Sequence, residues 1–230
     1  CARAGGVMGV GRGGESNGGE WTGDAAEDKR AIQFNPNVAS GHQWYGDFLA
    51  RMGRFDEARI ELKKAQELDP LSLLTNTSLG RLLYFTRQYD EAAVQLTKTL
   101  DMDPKFVPAQ HAIEAAYAQN GMFKEAVGER QKVLTLSGSP DLAASIGEDF
   151  NASGYPGVLK SSLEGLKEVS KHGYVSSYNM AQIYARLGDK SQALAALEQA
   201  YQDRDSNLTY VKVEHAFDDL RSDPRFQKIL

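Results

Sequence analysis

Residues 55–70 read FDEARIELKKAQELDP, residues 89–104 read YDEAAVQLTKTLDMDP, and residues 123–138 read FKEAVGERQKVLTLSG, each thirty-four positions after the last. Working outward, three more series keep that step to within one residue, the third-to-fourth interval being thirty-three. Pro36, Pro70 and Pro104 form one series; Gly53, Arg87, Gly121, Gly154 and Gly188 form a second; Ala58, Ala92, Ala126, Leu159 and Ala193 form a third. A fixed period of this length marks a repeat array, in which each unit is one supersecondary element that buries its apolar face against its neighbours.

The unit reads as a helical hairpin. In SGHQWYGDFLARM, residues 40–52, the apolar positions Trp44, Tyr45, Phe48, Leu49 and Met52 predict one broad helical face. Gly53 predicts the stop, since glycine takes the left-handed cap conformation at low cost. A second helix follows, with Phe55, Ala58, Ile60, Leu62, Ala65 and Leu68 as its apolar set. Asp69-Pro70 ends it, because proline disfavours helix in the residue before it. Gly46, Gly80 and Gly147 fall at matching places in the first helices and predict close helix approach, as do the alanines of the second helices. The fold class expected is therefore all-α, an α-solenoid of antiparallel helix hairpins.

Five repeats are expected over 39–207, at 39–72, 73–106, 107–139, 140–173 and 174–207. Residues 21–38 read as a partial repeat, the second helix alone, because GGEWTGDAAEDKRAIQFNP falls in register with MGRFDEARIELKKAQELDP. Residues 1–20 hold eight of the 22 glycines and show no apolar period, so this glycine-rich segment is expected to be disordered. The first residue, Cys1, is read as a fragment or processed start in preference to a lipoprotein start. The fourth repeat is expected to be irregular, since Leu159 replaces the usual alanine and Pro156-Gly157 open its second helix. The segment 208–230 breaks the period. Asp223-Pro224 predicts a helix start, and Phe217, Leu220, Phe226, Ile229 and Leu230 are expected to cap the open end of the stack.

Composition narrows function. The formal net charge is −5, which suits a phosphate backbone poorly, so no nucleic acid partner is expected for this segment. No apolar run approaches the ~20 residues that span a bilayer. The single cysteine excludes an internal disulfide and a cysteine-based zinc site. Gly9-Val-Gly11-Arg-Gly13-Gly14 matches GxGxxG but lacks the strand and helix that the dinucleotide fingerprint requires. His42, His111, His172 and His215 are isolated and read as surface or packing residues, so no metal and no cofactor is expected. Asp56-Glu57 and Asp90-Glu91 recur in register at helix starts, where carboxylates favour the positive end of the helix dipole. Their reading is structural, and Asp218-Asp219 is given no catalytic role either. Asn76, Asn151 and Asn207 begin formal glycosylation triplets and are discounted.

This period and these residues resemble the tetratricopeptide repeat family, over residues 21–207. The resemblance implies a right-handed superhelix and a non-enzymatic interaction scaffold that binds a peptide or partner domain on its concave face. More narrowly, the stretches NPNVASGHQWYGDFLARMGRFDEA and VKVEHAFDDLRSDPRF resemble the C-terminal repeat regions of large bacterial proteins. There the repeats often follow a winged-helix or serine/threonine kinase domain. A regulatory region of such a protein is the alternative implied, and the location implied is cytoplasmic. The family's concave first helices carry over to Gln43, Asp47 and Arg51; to Thr77, Arg81, Tyr84 and Phe85; to His111 and Gln119; and to Tyr178, Gln182 and Arg186. The positions comparable to a carboxylate clamp, Gln43, Asp47, Arg81, His111 and Glu148, lack that clamp, which disfavours a chaperone-tail ligand. Tyr84 and Phe85 are read either as binding residues or as core; Arg81 is the stronger candidate, because a charge between inward-facing neighbours seldom goes unpaired.

Overall fold

The computed structural model describes residues 29–30 and 32–230. The expectations for residues 1–20, including the glycine fingerprint, and for most of the partial repeat lie outside the described residues; residues 29–30 and 32–34 are helical. The helices that follow are α1 (Ala39–Arg51), α2 (Phe55–Leu68), α3 (Leu73–Phe85), α4 (Tyr89–Met102), α5 (Val107–Gln119), α6 (Phe123–Leu136), α7 (Pro140–Ser170), α8 (Ser177–Arg186), α9 (Lys190–Gln202) and α10 (Pro224–Gln227). Two 3₁₀ turns, Ser206–Tyr210 and His215–Leu220, lie between α9 and α10. There is no strand among the described residues. Each helix packs on the next, and first helices also pack on first helices, α1 on α3 and α3 on α5. That is the α-solenoid of helix hairpins.

The turn inside each hairpin explains the second series. Gly53, Arg87, Gly121, Gly154 and Gly188 all adopt left-handed backbone, with φ of 77°, 63°, 74°, 64° and 80°. The Gly53 amide donates to the Ala50 carbonyl at 3.0 Å and the Arg54 amide to the Leu49 carbonyl at 2.9 Å, closing the exposed helix end. Arg87 holds the same geometry with a side chain, a conformation L-residues resist.

Within the stack, Ala58, Leu62 and Ala65 are fully buried on α2, and Leu49 on α1. An added methyl at Gly46 would lie 2.7 Å from Leu62, and one at Gly80 2.5 Å from Leu96, so these glycines set how closely first and second helices approach. Two expected face residues lie outside. Trp44 is 57% exposed and Ile60 68%. The helical step of ~100° per residue puts Trp44 about 200° from Gly46, and Ile60 about 200° from both Ala58 and Leu62; neither can share their face.

The fourth repeat departs from the others as expected, by a definite device. α7 is broken at Gly154, whose φ of 64° and ψ of −164° leave the helix. The two arms reverse so sharply that a methyl on Gly157 would stand 3.0 Å from the Asp149 carbonyl oxygen, eight residues earlier. In a continuous helix those residues would be ~12 Å apart along the axis. Leu159 is buried with Leu163 and Ile183, filling the space an alanine would leave.

The C-terminal segment corrects the expectation most. Phe217, Leu220 and Phe226 do cover α8 and α9, and Ile229 packs beside them, but Leu230 remains 54% exposed. The segment also crosses to the far end of the stack. Val213 joins the apolar cluster of Leu49, Leu82, Tyr84 and Phe85 on α1 and α3.

Candidate functional site

The crossing segment forms a clasp with the C-terminal ends of α1 and α3. The Tyr84 hydroxyl donates to Glu214 Oε1 at 2.6 Å, and the same oxygen accepts from the Ala216 amide at 3.1 Å. His215 Nε2 lies 3.2 Å from the Phe85 carbonyl, which can only accept, so Nε2 carries the proton and Nδ1 accepts from the Tyr89 hydroxyl at 2.8 Å. Arg87 Nη2 reaches Asp218 at 2.6 Å. The Tyr210 ring stacks on Phe85 at 6.1 Å and lies beneath two guanidiniums, Arg81 at 4.7 Å and Arg51 at 5.2 Å from its centroid. Each cation over such a ring adds about 0.5–2 kcal/mol. Arg221 fixes the loop itself, donating to the Lys212 and Glu214 carbonyls and to Asp218. At the other side, Asp205 accepts from Ser176 Oγ at 2.6 Å and from the Tyr178 amide at 3.2 Å, tying the start of the segment to α8.

Electrostatics follow from this geometry. Burial pushes the Tyr84 phenol well above its ordinary value, and the Glu214 carboxylate pushes it the same way, so the hydroxyl stays a donor. Burial opposes the charge on Arg81, but Tyr210, Asp47 and Glu214 outweigh it and hold the guanidinium charged. Arg186 is likewise kept charged against burial by Tyr155, Tyr84 and Glu214. Burial raises the Asp218 carboxyl, while Arg221 and Arg87 bring it below its ordinary value.

The expected site residues therefore divide into groups. Arg51, Arg81, Tyr84 and Phe85 converge on the clasp. Gln43 and Thr77 are buried; Gln43 donates to Asp47 at 2.6 Å and to Ser78 Oγ at 3.2 Å, and Ser78 donates to Asp47 at 3.0 Å, so this trio ties α1 to α3. Thr77 bonds back to the Leu73 carbonyl. Tyr178 is buried against Phe217. Arg186 Nη1 donates to the Tyr155 hydroxyl at 3.3 Å. His111 is exposed and stands 3.7 Å from Glu114, while Gln119 and Gln182 are half-buried. The expectation of an open partner-binding surface does not describe Tyr84 and Phe85, which are 4% and 7% exposed because the segment covers them.

A tetratricopeptide repeat family model matches residues 39–70 and 175–202. Those two stretches are similar to the tetratricopeptide repeat, and the solved structures that superpose on the chain share its solenoid fold. Among solved structures, a thermophilic tetratricopeptide protein of Thermus thermophilus superposes with a TM-score of 0.51 at 16% identity, over 86% of this chain and 91% of that one. The pilF protein of Pseudomonas aeruginosa gives 0.50 at 17%, over 85% and 91%. Yeast Tom70 gives 0.52 at 17%, over 90% of this chain and 46% of Tom70. These likenesses concern the fold. No curated protein matches in sequence.

One further set of residues in this helical stack keeps the repeat period without keeping residue type. His42 Nε2 bonds the Pro36 carbonyl at 3.0 Å, Asn76 Nδ2 the Pro70 carbonyl at 2.9 Å, and Gln110 Nε2 the Pro104 carbonyl at 2.9 Å. Each satisfies a carbonyl at the turn between repeats. Their signal was positional, six residues past each proline, and three different side chains concealed it. Asn76 is buried with four side-chain hydrogen bonds, donating to the Pro70 and Ser72 carbonyls and accepting from Gln66 and Gln95, so its glycosylation triplet is structural. No group of three or more His, Cys, Asp or Glu that could hold a metal occurs among the described residues, and no described helix is long and apolar enough to cross a membrane.

Proposed function

We propose that this chain is a non-enzymatic scaffold that takes a peptide or partner domain on the face made by its first helices. One observation carries the reading: that face already holds a polypeptide segment, with Arg51, Arg81, Tyr84 and Phe85 gripping residues 210–214 through ring faces, a hydroxyl and apolar contact. Arginine and aromatic side chains of this kind dominate binding hot spots. The acidic pairs support the absence of chemistry, since Asp56, Glu57, Asp90 and Glu91 occupy the first turns of α2 and α4 and Glu57 is paired with Arg54. The test is a photo-cross-linking residue placed in the full chain at His111, Gln119 or Gln182, compared with Ile60 or Val94 on the second helices. Cross-links to a captured partner are expected from the first three positions. Cross-links confined to Ile60 and Val94 would move the binding face to the second helices.

A further inference from the structure

Tyr210 and Glu214 are four residues apart, and each meets a dedicated counterpart on the first helices. The Tyr210 ring has Arg81 and Arg51 over it and Phe85 against it. The Glu214 carboxylate meets the Tyr84 hydroxyl. Between them Val213 enters the α1–α3 apolar cluster, and its side chain and that of Lys212 pass 4.0 Å from where a methyl on Gly53 would sit. The segment is fastened more firmly at its other side, where Phe217 is fully buried with Phe226 and Leu220 against α8 and α9. The α1–α3 side has Val213 as its one buried apolar anchor; its other contacts are the half-buried Tyr210 ring with its two guanidiniums and Phe85, one buried hydrogen bond, two contacts through His215, and an ion pair whose members are 58% and 33% exposed. That asymmetry makes the α1–α3 side the one that releases.

We propose that the surface of Arg51, Arg81, Tyr84 and Phe85 is a docking site for a short peptide segment carrying an aromatic side chain followed four residues later by a carboxylate, and that the chain's own Tyr210, Val213, Glu214 and His215 hold this site until such a segment displaces them. The inference rests on the concave-face reading above and names the chemistry of its ligand. Opening is built into the architecture: each repeat contacts only its neighbours, so releasing the clasp lets the two ends of the stack part without breaking any helix.

The test uses the full chain and a fluorescent peptide of residues 207–216, NLTYVKVEHA, followed by anisotropy. A loosened chain, Tyr210→Ala with Glu214→Gln, is expected to bind the peptide at least tenfold more tightly than the wild type. A peptide carrying those same two changes should not bind, and adding Arg81→Ala to the loosened chain should weaken binding at least tenfold. Equal affinity for loosened and wild-type chains overturns the proposal, as does equal binding of the altered peptide. So does the absence of binding to a loosened chain that keeps wild-type helix content. Should that variant lose helix, Arg87→Ala with Asp218→Asn loosens the clasp at an exposed ion pair, and the same outcomes decide. Partner cross-links from His111 or Gln182 together with no peptide binding would sink this proposal alone. Cross-links confined to Ile60 and Val94 would sink the concave-face reading.

Discussion

Arg87 is the one non-glycine residue in the series of hairpin turns, and it separates two costs that are usually confounded. Its left-handed φ of 63° costs about 1–2 kcal/mol relative to ordinary backbone; its ion pair with Asp218 is exposed and worth roughly 0–1 kcal/mol. Arg87→Gly and Arg87→Ala both remove the pair, but only glycine relieves the backbone. Allowing for glycine's greater chain entropy of about 0.5–1 kcal/mol, Arg87→Gly is expected to unfold about 0.5–1 kcal/mol harder than Arg87→Ala in urea; the reverse order would show that the turn carries no strain. His215 gives a second prediction. Burial, and then the positive charge of Arg87, hold its pKa below the ordinary 6.5, while Glu214 and Asp218 oppose them. A group with a lowered folded pKa of this kind stabilises the fold fully above pH 6.5 and loses that contribution as pH falls from 6.5 through the folded value. Protonation would also place a second N–H against the Tyr89 hydroxyl, which now donates to Nδ1. Stability measured from pH 7.5 to 5 should fall in the wild type and flatten in His215→Gln; an equal slope in both would remove His215 as the cause. Arg87's turn was legible because its place in the period fixed its conformation, whatever its side chain. The series His42, Asn76 and Gln110 was not, because hydrogen bonding to a proline carbonyl asks only for an N–H at the right height, and three residue types supply it.

At the scale of elements, the broken α7 and the clasp show what periodicity can and cannot say. By helix propensity alone, Pro156 and Gly157 are weaknesses of a second helix. In the structure Gly157 is what lets the arms meet, and Gly157→Ala should cost about 1–3 kcal/mol from overpacking against Ser153 Cβ and the Asp149 carbonyl; a change below 0.5 kcal/mol in urea would show that the turn relaxes. Low helix propensity persists all the same, so amide exchange across residues 156–171 is expected to exceed that across 89–101. Equal protection would show that packing of Leu159 and Leu163 compensates. For the clasp, Tyr84→Phe keeps the ring and removes the donor to a buried carboxylate. A loss of about 1–3 kcal/mol is expected, with helix content unchanged. The arrangement of α1 to α6 followed from the repeat because each helix packs on its sequence neighbours. The path of residues 205–221 did not, since contacts across some 130 positions leave no periodic trace.

For the whole molecule, the clasp changes the kind of object the solenoid is. An open array unfolds approximately as a sum of nearest-neighbour terms and can open from either end. Here Tyr84 to Glu214 and Arg87 to Asp218 connect α3 and its following turn with a segment seated on α8 and α9. The radius of gyration by small-angle scattering should therefore rise in the Tyr210→Ala, Glu214→Gln chain while its helix content stays level. An unchanged radius would mean that repeat packing alone sets the curvature. The same long connection has a consequence in time. Glu214 is made 130 residues after Tyr84, which at about 5–20 residues per second is a delay of roughly 7–26 s on the ribosome. Through that interval α1 and α3 have been synthesised and the tyrosine, phenylalanine and two arginines have no segment of their own to hold. A newly made chain thus passes through a stage, before its own closure, in which another polypeptide could enter the groove without competition.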